Sequence, residues 1–179
     1  MGLGSGLACD LTLNSVLPPE LREKYQNPAI IRKVLAESRT IAIVGLSADR
    51  QKASHFVATY LQYAGYRIIP VNPRAEEILG ERTYPDLLSI PEPVDVVDVF
   101  RPAHECPLYA HQAVEIRAKT LWLQLRIVSL EAAQIAEAGG LQVIMDRCIK
   151  MEHGRYNGSM HWVGMNTGLI TARRARRWF

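Results

Sequence analysis

The 179 residues suit one domain with a full core and leave little room for a second. Hydrophobic residues make up 48% and charged residues 22%, an ordinary globular mixture, and no apolar run reaches the roughly 18–20 residues of a membrane helix. The net charge of +3 is concentrated at the end: residues 173–179 hold four of the 21 basic residues, which leaves 17 against 18 acidic ones, so the body is not a nucleic-acid-binding surface by charge.

Residues 1–27 carry Gly, Ser and the Pro18-Pro19 pair with weak periodicity and no signal-peptide pattern, and they read as a flexible leader. The first clear helix starts at Pro28, where proline is tolerated in the first turn, and puts Ile30, Ile31, Val34 and Leu35 on one face. Thr40–Val44 is a strand apolar on both faces, as in the middle of a parallel sheet. A helix over residues 54–64 follows, with Phe56, Val57, Tyr60, Leu61 and Ala64 as its inward stripe and Gly65 as its stop. Residues 66–71 form the second strand, 76–88 an irregular excursion and 94–100 the third strand. A helix runs to about Arg117, a fourth strand spans 120–125, a helix capped by Ser129 ends at Gly139-Gly140, and a fifth strand spans 141–145. This alternation predicts an α/β fold with a single doubly wound parallel sheet of five strands and right-handed crossovers. The segment after His153 is a C-terminal extension with a basic tail. Within it, Met160-His-Trp-Val-Gly-Met165 is apolar enough to serve as an interface, for a homodimer among other partners.

Ligands of such sheets bind beyond the carboxyl ends of the strands. A dinucleotide site would show GxGxxG after the first strand and an acid at the end of the second. Here the first loop has one glycine, Gly45, and the second strand runs into Asn72-Pro73-Arg74, with no carboxylate. NAD is disfavoured on both counts. Arg74 puts a fixed cation where the ribose should lie, which suits an adenosine carrying a ribose phosphate. NADP and coenzyme A (CoA) both qualify. Ser47, Arg50, Lys52 and Ser54 add donors and cations suited to a pyrophosphate at a helix N-terminus.

Ile43-Val-Gly-Leu-Ser47, Val71-Asn-Pro-Arg74, Val94-Asp-Val-Val-Asp-Val-Phe-Arg101, Trp122-Leu-Gln-Leu125 and Met145-Asp-Arg-Cys148 with Glu152-His153 occur in that order. Together they resemble the CoA-binding protein family of small Rossmann-like proteins, which are similar to the N-terminal CoA-binding domain of the succinyl-CoA synthetase alpha subunit. The similarity covers about residues 28–153. It implies a Rossmann-like domain of that extent, binding CoA or an acyl-CoA across the loops after the first three strands. The ligase's phosphate loop maps onto Ser47, Ala48, Asp49, Arg50 and Gln51, and its lysine after the second strand maps onto Arg74. Its third-strand turn maps onto Val99, Phe100 and Arg101, where apolar atoms flank the adenine or pantetheine. Arg126 stands where the family usually carries glycine, which puts the thiol end of the ligand in question.

Catalysis is harder to find. The ligase reaction needs a phosphorylated histidine in a second domain, and neither His153 nor His161 sits in a glycine-rich phosphohistidine loop. Asp95 and Asp98 are three apart on one strand and point to opposite faces, so they do not pair. Cys148 follows Arg147, which lowers a thiol pKa if it stays close, although a packed structural cysteine is the simpler reading. His55 is either a phosphate contact or a helix-surface residue. His104 and His111 are seven apart, too far for the i, i+4 metal pair. The three cysteines, Cys9, Cys106 and Cys148, show no zinc spacing and fit free thiols in a reducing cytoplasm. The expectation is a cytoplasmic binding module without catalysis of its own. The alternatives are an NADP-binding oxidoreductase-like protein, or a CoA-binding subunit of a separate catalytic chain. Nucleic acid and membrane are not expected as partners.

Overall fold

A computed structural model describes residues 16–156. In chain order the elements are α1 (Pro19–Tyr25), α2 (Pro28–Glu37), β1 (Thr40–Val44), α3 (Ala53–Tyr63), β2 (Arg67–Val71), the hairpin β3 (Glu77–Ile78) and β4 (Glu81–Arg82), β5 (Val96–Val99), α4 (Cys106–Glu115), β6 (Thr120–Leu123), α5 (Leu130–Ala138), β7 (Gln142–Ile144) and α6 (Ile149–Tyr156). The main sheet is parallel throughout, in the order β2-β1-β5-β6-β7. The chain steps from β1 outward to β2 and then returns to β5 on the other side of β1. The crevice therefore opens above the carboxyl ends of β1 and β5.

Side chains alternate across each strand and build one core on each face. Ala42, Val44, Val97, Val99, Leu121 and Leu123 meet the small residues of α4 and α5, such as Ala110, Ala113, Ala132 and Ala136. Ile41, Ile43, Val96, Trp122 and Ile144 meet Ile31, Leu35, Val57, Leu61 and Ile149 from α2, α3 and α6. The amino ends of the strands are tied by Asp95, whose Oδ2 accepts from the Arg39 and Thr40 amides at 2.7 and 3.0 Å and whose Oδ1 pairs with Lys119 at 2.7 Å. Burial by itself would raise that carboxyl, but Lys119 and the two amides outweigh it and hold it at about 2.

Several boundaries differ from those expected. Leu17 is 1% exposed and Tyr25 4%, both in the core with Leu21 packed against them, so residues 17–26 are part of the domain and not of a flexible leader. Only Leu21 and Tyr25 of these lie in α1, a stripe too short to stand out from the prolines around it. The inward face of α3 is rotated: Val57, Ala58 and Leu61 are buried, with Ser54 and His55, while Phe56 is 60% exposed and Ala64 lies in solvent. Small Ala58 fits against the sheet where a large ring would not, and Phe56 lies instead under the Lys150 ammonium, 4.6 Å from the ring centre. The excursion after β2 contains the β3–β4 hairpin, fastened by Arg67 to Glu81 and Glu92. The strands of residues 94–100 and 120–125 are shorter than expected, and α6 carries the domain past His153 to Tyr156. The Met160–Met165 stretch and the arginine tail lie outside the described residues. Among the described residues no helix is long and apolar enough to cross a membrane.

Candidate functional site

The site is built from three strand ends. β1 ends in Gly45 at φ +79, whose N–H donates to the Val71 carbonyl at 2.9 Å. A Cβ there would lie 2.9 Å from Arg101 Cδ and 3.0 Å from the Phe100 carbonyl oxygen, so both the turn and the close approach require glycine. The loop that follows holds itself. The Ser47 amide donates to Ser54 Oγ at 3.1 Å, the Asp49 amide to Ser47 Oγ at 3.1 Å and the Gln51 amide to Asp49 Oδ1 at 2.9 Å. His55 Nδ1 lies 2.9 Å from the Ser47 carbonyl; because a carbonyl only accepts, that nitrogen carries the proton. His55 is thus a buried brace of the loop rather than a surface residue. The first turn of α3 lines the cavity through Lys52, Ala53 and Ser54, and its amides are left without partners within the helix, as at every helix start.

Asn72 joins the second strand end to the first. Its Nδ2 donates to the Leu46 carbonyl at 2.7 Å and its Oδ1 accepts from the Arg74 amide at 2.9 Å, an Asx turn that presents Arg74. Arg74 and Lys52 are exposed and make no ion pair among the described residues. At the third strand end the Phe100 amide donates to the Val44 carbonyl at 2.9 Å, which sets Phe100 and Arg101 beside Gly45.

These ends enclose a cavity of about 580 Å³. Of the residues singled out in the sequence, Gly45, Ser47, Lys52, Ser54, Asn72, Pro73, Arg74, Phe100 and Arg101 line it. Ala48 and Arg50 line a neighbouring groove on the far side of the loop, with His55 and Phe56. Asp49 lines neither and works within the loop, and the Val99 side chain is in the core. Pro85 and Tyr109 line the cavity without having been expected. Tyr109 sits early in α4, whose N-terminal end faces the same crevice as that of α3. That topological position is the signal that would have found it.

A family model described as a CoA binding domain matches residues 39–154, the span that carries all three strand ends. The chain belongs to the CoA binding domain family. It is 43% identical to the uncharacterized protein YneT of Bacillus subtilis over 130 residues, covering 72% of this chain and 96% of that protein. The solved structure of a hypothetical protein from Pyrococcus horikoshii OT3 superposes with a TM-score of 0.71 at 36% identity, covering 73% of this chain and 92% of that one. The chain is also related to the ADP-forming acetate–CoA ligase I of Archaeoglobus fulgidus, 28% identical over 123 residues. The match takes in 63% of this chain but 18% of the ligase.

The one departure from the family pattern can now be placed within this CoA binding domain. Arg126, where glycine is usual, has φ +65, and its amide donates to Asp146 Oδ1 at 2.6 Å. The need for glycine there comes from the backbone, and the exposed Arg126 side chain is not among the residues lining the cavity. Arg126→Gly is expected to raise stability by up to ~1 kcal/mol, the left-handed cost removed less the flexibility added to the unfolded chain. Ligand affinity should not change. A melting curve with a lower midpoint for the variant would contradict this. Cys148 is not an activated thiol. Burial pushes it up, and the Arg147 Nε lies toward Glu152 at 4.0 Å. Burial also drives the Cys106 thiol up to about 11. Among the described residues no three His, Cys, Asp or Glu side chains are placed to hold a metal ion.

Proposed function

We propose that this protein binds coenzyme A or an acyl-CoA in the 580 Å³ cavity, as a carrier, sensor or regulatory module without a reaction of its own. The observation that carries the reading is Arg74, a cation without an ion-pair partner among the described residues, presented by the Asn72 turn at the end of β2, where a dinucleotide site would carry an acid. In this reading Arg74 takes the ribose 3′-phosphate. The α3 amides, Ser47, Ser54 and Lys52 take the pyrophosphate over Gly45, with Ala48, Asp49 and Arg50 shaping the loop. Pro73 and Phe100 supply apolar walls for the adenine or pantetheine, Asn72 and Val99 set the backbone behind them, and Arg101 closes the far side. Membership of the CoA binding domain family supports this choice over NADP.

Calorimetry with CoA and dephospho-CoA, which lacks the 3′-phosphate, tests it. Arg74→Ala is expected to weaken CoA roughly tenfold or more and to leave dephospho-CoA nearly unchanged, since a charge-assisted pair of hydrogen bonds is lost. Absence of CoA binding at near-millimolar ligand, or tighter binding of NADP than of CoA, would sink the proposal.

A second reading rests on the acetate–CoA ligase relationship, in which this domain is matched by 18% of a longer protein. The chain then acts as the CoA-binding subunit of a separate catalytic chain. Co-purification of such a chain, with CoA-ligase activity only in the mixture, would favour it.

A further inference from the structure

Three cations line the cavity, and one of them is already occupied. Arg101 Nε donates to Glu105 Oε2 at 2.9 Å and its Nη2 to Oε1 at 3.0 Å, a two-pronged pair, while Lys52 and Arg74 have no carboxylate partner among the described residues. Glu105 is itself partly buried, at the end of a single 3-10 turn (Ala103–Glu105) that leads into α4. The Arg101 stem lies on the Gly45 turn, where it would meet any added Cβ, so the pair sits directly beside the peptide over which a pyrophosphate would lie.

The order of the strands gives the pair its meaning. β2 and β5 lie on opposite sides of β1, so Arg74, Gly45 and Arg101 follow one another across the sheet edge. A nucleotide whose ribose end is at Arg74 and whose pyrophosphate lies over Gly45 reaches Arg101, with Glu105 paired to it, by whatever comes next. In CoA that is a neutral pantetheine arm; in a nucleoside triphosphate it is a third phosphate. At that point the wall is Arg101 and the ring of Tyr109, and Glu105, which does not itself line the cavity, neutralises the arginine at 2.8 Å. Glu105 both withholds the guanidinium and presents a like charge, and a repulsive element of this kind is how a site rejects a near relative of its ligand.

We propose that Glu105 is a specificity-determining residue that turns the cavity against nucleoside triphosphates and toward a nucleoside pyrophosphate extended by a neutral arm. The inference rests on the CoA reading for the orientation of the ligand. ADP and ATP test it by calorimetry without divalent cation, because both lack the 3′-phosphate and differ only in the phosphate that would meet the pair. The unaltered protein is expected to bind ATP no more tightly than ADP. In Glu105→Gln the released Arg101 should favour ATP over ADP by roughly tenfold, the effect of one charge-assisted phosphate contact. CoA affinity should change by no more than ADP affinity does, since both carry the pyrophosphate beside Arg101 and the neutral arm gains nothing further from the released charge. In the double variant Glu105→Gln/Arg101→Gln the preference for ATP should vanish. An ATP preference in the unaltered protein, an unchanged ratio in Glu105→Gln, or a gain that survives loss of the Arg101 guanidinium would each overturn the proposal. A protein in which CoA does not bind but the ATP/ADP ratio responds as described would fail the CoA reading and keep the role of Glu105.

Discussion

Replacing Asp98 with asparagine is expected to raise the unfolding midpoint at pH 8 relative to its effect at pH 4. Asp98 lies in β5 between Ile43 of β1 and Trp122 of β6, with no accessible surface. Burial pushes its carboxyl up to about 8, against the opposing effect of Gln124, whose Nε2 donates to both oxygens at 2.8 and 2.9 Å. At neutral pH the group is therefore a neutral acid in the fold and a carboxylate in the unfolded chain. The sign follows from linkage: between about pH 4 and pH 8 the folded state holds a proton that the unfolded state has released, so stability falls as pH rises. The slope is roughly 1.4 kcal/mol per pH unit across that window. Asparagine keeps one oxygen for Gln124 and does not titrate, while its Nδ2 replaces an oxygen that Gln124 Nε2 also approaches, a cost that is the same at every pH. The difference between the two proteins should grow by several kcal/mol from pH 4 to pH 8. Burial lowers the His153 imidazole, and its contribution is common to both proteins and cancels in that difference. Thermal unfolding followed by circular dichroism at each pH reads it; a wild-type profile parallel to that of the variant would refute the neutral acid.

Gly45→Val should both destabilise the protein and remove ligand binding. A β-branched residue at φ +79 bears a backbone cost of about 1–2 kcal/mol. The new Cβ also meets Arg101 Cδ at 2.9 Å and the Phe100 carbonyl at 3.0 Å. The arginine stem can turn aside. The carbonyl cannot, because the Phe100 amide is bonded to Val44 and the two strands are paired in register through Val44 and Val99. A total cost of roughly 2–4 kcal/mol is expected once overpacking is included, with CoA affinity down about a hundredfold or more because the pyrophosphate floor is lifted. Gly45→Ala should show the same pattern at smaller size and stay folded for titration. Wild-type melting and wild-type CoA affinity in Gly45→Val would show that neither the turn nor the floor is tight.

Much of the fold was legible because its signals are local. Thr40–Val44 is apolar at every position but its first and is indeed a strand with neighbours on both sides. Ser129 caps α5 as expected, its Oγ accepting from the Ala132 amide at 3.3 Å. The three loops named from the sequence do surround one cavity, since strand ends in a parallel sheet converge whatever their side chains. The rest depended on partners distant in sequence. Helix α1 reads as a proline-bearing leader until the sheet face that buries Leu17 and Tyr25 is present. The inward face of α3 could not be chosen from hydrophobicity alone, because the sheet accepts Ala58 and refuses Phe56.

The sequence by itself determined the succession of the five main strands and the helices between them, the glycine that ends β1 and the missing acid after β2. Each of these rests on backbone geometry or charge within a few residues. Only the tertiary structure decided what those charges are worth. Asp98 is a neutral acid because two strands and Gln124 enclose it. Arg101 is an occupied cation because the turn before α4 swings Glu105 onto it, whereas Arg74 stands free because no carboxylate among the described residues pairs with it. Burial and pairing set the charge state of a side chain, and both are properties of the folded neighbourhood rather than of the residue.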